Sequence, residues 1–139
     1  MARITKQRVE EIVGEPVVAF ADAQSAESRY GKSVSAGGAI SSGVLKARTK
    51  SVKRADAVAL PRFVTIAVGN TAVHVFGYRR TEAYMIGSVP RDSVQVEISS
   101  GLFWTRLTLI DPAAARSYMA YLGRIIPGRK ALLSALRAV

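Results

Sequence analysis

The sequence predicts a mostly-β domain capped by a C-terminal helix, and three observations predict it. From Arg62 to Ile110, short β-rich runs alternate with turn residues. An apolar, helix-forming segment, Ala131–Val139, closes the chain. From Ser28 to Arg54 the sequence is rich in glycine and serine, and every charge in it is positive. A strand meander with a capping helix and a basic arm has the profile of a binding module rather than a catalyst.

Thr5 is a suitable N-cap for a short helix from about Lys6 to Val13, which Gly14 ends. Val9, Ile12 and Val13 give that helix an apolar face, and residues 1–15 form an N-terminal helical segment ahead of the main domain, 16–139. Pro16–Phe20 is β-branched and apolar, a first strand. Residues 21–61 are a basic Gly/Ser/Ala-rich insertion, with one short ordered piece expected near Ala39–Leu45, because Gly37, Gly38 and Gly43 disfavour a long regular element.

Pro61 ends the insertion. Arg62–Val68 and Ala72–Tyr78 follow as two strands joined by Gly69-Asn70-Thr71, a hairpin turn. In the second of them Val73 and Val75 alternate with His74, Phe76 and Tyr78, the period of a sheet with two different faces. Ala83–Val89, Ser93–Ser99 and Leu102–Ile110 continue the series, and such even spacing suits a barrel or a sandwich. Local signals favour a helix over Asp111–Gly123: Asp111 as cap, Pro112 in the first turn, three alanines, and Gly123 past the end. Tyr118, Ala120 and Leu122 alternate with Met119 and Tyr121 as a strand would, so strand remains the alternative. Leu132, Leu133 and Leu136 make the last segment an amphipathic helix.

The runs IAVGNTAVHVFGYR (66–79), MIGSVPRDSVQVEI (85–98), RLTLIDP (106–112) and LLSALR (132–137) resemble a bacterial PH-like domain of the actinobacterial type, over about residues 60–137. The resemblance implies a bent, seven-stranded barrel plugged by a C-terminal helix. Seven strands require 116–122 to be the last one, against the local helix signal. The resemblance also puts 21–61 in the first β–β connection, the loop that carries phosphoinositide-binding cations in eukaryotic PH domains. Here that loop holds Lys46, Arg48, Lys50, Lys53 and Arg54, although the family's lipid-binding motif is not cleanly present.

The chain has 139 residues, a single-domain length, and a net charge of +10 from 20 Lys and Arg against 10 Asp and Glu. Such an excess favours anionic partners. Lys46, Arg48, Lys50, Lys53 and Arg54 are the expected anion-binding residues, directed at an anionic lipid surface or an acidic protein. Sequence-independent nucleic-acid binding through the same cations is an alternative, as is a basic arm that orders on homo-oligomeric assembly. Only Tyr30 lies near the arm, so base stacking has little to work with. Arg79, Arg80, Arg91, Trp104 and Arg106 are candidates for an aromatic–basic partner patch.

No cysteine is present, which removes disulfides and thiolate metal sites, and with His74 as the only histidine no zinc site or cofactor is expected. A relaxed phosphate-loop pattern at 26–33 lacks its first glycine and is followed by a segment too Gly/Ser-rich for the required helix. No nucleophile–base spacing is visible, and the chain reads as non-enzymatic. The first residues include acids and no long apolar run, so no signal peptide is expected. The expected location is the cytoplasm, including the inner membrane face.

Overall fold

The computed structural model describes residues 4–25, 56–80 and 82–139. The basic run 46–54, the piece expected near 39–45 and the pattern at 26–33 lie outside the described residues.

α1 (Lys6–Val13) starts at Thr5, whose Oγ1 accepts from Arg8 N at 3.2 Å, and ends at Gly14 in the left-handed region, φ 79°. Both caps do what their residue types favour. Seven antiparallel strands follow the order β5-β4-β3-β1-β8-β7-β6: β1 (Val17–Ser25), β3 (Phe63–Gly69), β4 (Ala72–Arg79), β5 (Glu82–Pro90), β6 (Gln95–Ser100), β7 (Trp104–Asp111) and β8 (Arg116–Gly123). β2 (Asp56–Ala57) adds a short parallel pairing to the start of β8, and α2 (Arg129–Arg137) completes the domain. The path is not closed: β5 and β6 are its two edges.

The sheet nonetheless curls. Gly87 on β5 lies directly against the Tyr118 ring on β8, although three strands intervene along the path. Only a glycine leaves room there for the buried ring. The concave side holds the main core, where Val64, Ile66, Val73, Val75, Leu107, Leu109 and Leu122 meet Leu132, Leu133 and Leu136 of α2. The convex side is also covered in part. Val9 of α1 packs with Val17, Ala67 and Phe76, which explains why β3 and β4 are buried on both faces.

The sheet is open rather than the expected closed barrel, and among the stretches that differ from expectation two shape it. β1 runs on through Ala21–Ser25, five residues expected in the insertion, with burial alternating down the strand. Those residues matter, because Gln24↔Tyr121 and Ser25↔Ala120 are the pairs that join the two halves of the sheet. Residues 116–123 form a strand, so the local helix signal over Asp111–Gly123 is overturned and the strand alternative holds. Asp111 does cap, accepting from Ala114 N at 3.2 Å, but the turn stops at Ala115, φ 54°. Burying Tyr118, Ala120 and Leu122 in the core outweighs a few tenths of a kcal/mol of helix propensity per residue.

Among the described residues no helix is long and apolar enough to cross a membrane.

Candidate functional site: an apolar and cationic tip

Leu102 and Phe103, expected in a strand, instead form a turn between β6 and β7, because pairing begins at Trp104. Gly101 N donates to Trp104 O at 2.8 Å and closes that turn. The strand β8 ends beside it. Trp104 pairs with Gly123, and Arg124 N donates to Phe103 O at 3.1 Å. This bond ties the β6–β7 turn to the β8–α2 connection, so both loops form one tip.

The tip is unusually apolar for its exposure. Leu102 is 78%, Phe103 64% and Ile125 94% exposed. Behind them lies a cleft of about 300 Å³ lined by Trp104, Thr105, Arg124 and Arg129 with the two apolar turn residues. Arg129 is anchored: its Nη2 donates to the buried Thr105 Oγ1 at 2.7 Å, while its Nε is buried without an acceptor. Among the described residues no carboxylate pairs with Arg124 or Arg129. The arrangement offers two guanidinium groups to an anion, beside the Trp104 ring and behind an apolar rim. The sequence did carry a signal for it, since Leu102-Phe103-Trp104 after Gly101 breaks the period of two.

The five residues expected as a partner patch are not brought together. Arg79 and Arg80 lie at one end of β5 and Arg91 at the other, about 27 Å apart along a nine-residue strand. The Arg79 guanidinium covers the Tyr84 ring at 5.4 Å, and Arg80 turns the chain with φ 60°. Arg91 is structural: its Nη1 donates to Gly69 O at 3.2 Å and its N to Thr71 O at 2.9 Å, holding the β3–β4 turn. Trp104 and Arg106 do share one face of β7, opposite the buried Thr105, Leu107 and Leu109. Of the five, only Trp104 belongs to the tip.

His74 is where the fold departs most from the spacing argument. Its Nδ1 lies 2.7 Å from Ser88 Oγ and its Nε2 2.5 Å from Glu15 Oε2, so a hydroxyl, an imidazole and a carboxylate do line up. Glu15 also accepts from Thr71 N at 2.8 Å and Thr71 Oγ1 at 3.0 Å. Burial pushes the Glu15 carboxyl up, but the bonds from His74 and Thr71 outweigh it and hold the group below 4.5. The network fastens the α1–β1 connection to β4 and its preceding turn. No group of three or more potential metal ligands occurs among the described residues.

Comparison with known proteins returned no match to a family model, a curated protein or a solved structure.

Proposed function

We propose that this chain is a PH-like, non-enzymatic binding module that settles on an anionic membrane surface. The observation that carries the reading is the tip, where three highly exposed apolar side chains, Leu102, Phe103 and Ile125, sit beside Arg124 and Arg129. Large exposed apolar groups suit the boundary between head groups and acyl chains, where each buried CH₂ contributes about 0.8 kcal/mol. Each nearby cation adds about 1 kcal/mol at an anionic leaflet. An acidic protein face would engage the arginines but gives no comparable place for a protruding Ile125. Lys46, Arg48, Lys50, Lys53 and Arg54 join the reading as a second, salt-sensitive attraction. The PH-like part is supported by the seven-strand path, the inward curl that brings Gly87 to Tyr118, and a C-terminal helix on the concave side.

The test is co-sedimentation with vesicles of phosphatidylcholine alone, vesicles containing phosphatidylserine, and duplex DNA, at low and physiological salt. Binding is expected only to the phosphatidylserine vesicles. It drops about tenfold or more, roughly 1.4 kcal/mol, in a Leu102→Ser/Phe103→Ser/Ile125→Ser variant that melts like the parent. Replacing the five arm cations by Gln weakens binding at low salt and leaves the remaining binding less salt-dependent. Binding to DNA instead, or vesicle binding indifferent to the tip variant, overturns the proposal.

A further inference from the structure

We propose that the cleft behind the tip is a binding site for a phosphate monoester, gripped by Arg124 and Arg129 under the Trp104 indole. The inference rests on the membrane reading only for the source of the phosphate, a lipid head group rather than a soluble ester.

Three features carry it. First, the cleft, at about 300 Å³, is large enough for a phosphate and the first atoms of its ester, and among the described residues no acid lines it. An anion therefore meets no repulsion there. Second, Arg129 is already partly desolvated and fixed. One donor is committed to Thr105 Oγ1 at 2.7 Å, and Nε is buried with nothing to bond. A guanidinium held in place without a carboxylate partner keeps its charge and its remaining N–H groups for an anion, and attraction is stronger in the less polar surroundings. The planar fork suits the oxygens of a phosphate in a way an ammonium does not. Third, Arg124 approaches from the β8–α2 connection, whose position is set by the bond from its own N to Phe103 O. The two cations thus stand on linked elements, and the Thr105 anchor holds one of them in place before any ligand enters.

The geometry also orders the events at a bilayer. With Leu102, Phe103 and Ile125 in the head-group boundary, the cleft opens at the depth of the lipid phosphates. A monoester head group carries more charge than a diester and leaves its oxygens uncovered, so it is favoured over phosphatidylserine of equal surface density.

The chain carries a single tryptophan, and it lines this cleft, so its fluorescence reports on the site without a label. Inorganic phosphate and glycerol 3-phosphate are titrated at constant ionic strength, with chloride as the control. The parent protein shows a saturable change with a dissociation constant in the millimolar range. Arg124→Ala, an exposed position, weakens it about tenfold, and Arg129→Gln abolishes it while circular dichroism stays unchanged. Vesicles containing phosphatidic acid then bind more tightly than phosphatidylserine vesicles of equal charge, and Arg124→Ala removes that preference. A change that does not saturate, that chloride reproduces, or that survives Arg124→Ala overturns the site. Saturable phosphate binding without any vesicle binding leaves the site standing for a soluble ester and removes the membrane reading. Vesicle binding without a phosphate response does the reverse.

Discussion

His74 Nε2 and Glu15 Oε2 lie 2.5 Å apart, joining the connection between α1 and β1 to the middle of β4. Because the Glu15 carboxyl is held below 4.5, its ionised form is the one the fold prefers. An acid with a lowered folded pKa contributes stability fully above its unfolded value, and that contribution is lost as pH falls through the folded value. Urea denaturation is therefore expected to show a midpoint that declines below about pH 4.5, and Glu15→Gln flattens the decline. Glu15→Ala leaves a buried ring nitrogen without its partner and costs about 1–3 kcal/mol at neutral pH. An acid profile identical in Glu15→Gln and the parent would remove this network as its source.

Gly87→Ala puts a methyl group into the Tyr118 ring, which has no exposed side to move toward. The expected cost is about 1–3 kcal/mol, as for other overpacked cores. In Gly87→Ala/Tyr118→Ala the two losses add to less than their sum, by more than about 0.5 kcal/mol, because the second change removes the obstacle. Simple additivity in denaturant melts would mean that the sheet does not curl as described.

Gly128 stands before α2 at φ 81°, and a methyl group there would strike the carbonyl oxygen of Phe20 on β1. Gly128→Ala combines backbone strain with that clash and is expected to cost about 1–3 kcal/mol. Thermal unfolding followed by circular dichroism reads it, and an unchanged midpoint refutes it.

Two leucines give opposite answers. Leu136→Ala opens a hole between α2 and the concave face and is expected to cost about 2–5 kcal/mol. Leu102→Ala, at the exposed tip, stays within about 0.5 kcal/mol of the parent. Equal effects would show that Leu102 is a core residue and would take the tip away.

Much of the fold was legible because period-two patterns and punctuating residues agreed with it. β3, β4 and β5 are found within a residue or two of their expected limits, and Thr5 and Gly14 bound α1 as their chemistry suggests. What was hidden depends on partners distant in sequence. Ala21–Ser25 is built of small and polar residues that make no strong strand on their own, and becomes one because β3 and β8 lie on either side. Residues 116–123 carry a helix-like prelude, and only the apolar cavity they fill decides the matter. The tip was hidden for a different reason. Leu102 and Phe103 read as strand residues, and Arg124 and Arg129 look like ordinary surface cations until one backbone bond brings the two loops together.

The join between β1 and β8 has a consequence for how the chain reaches this state. β3, β4 and β5 pair with neighbours a short turn away, but Gln24 and Ser25 wait for Tyr121 and Ala120, from near the opposite end of the chain. Distant pairings must offset the entropy of closing a long loop before they return anything, which makes them slow. On the ribosome, one edge of β1 therefore stays bare until β8 has emerged. Between the appearance of β5 and that of β8 the chain is a half-sheet with an open margin, and that interval, rather than the finished fold, is when it is most exposed to mispairing.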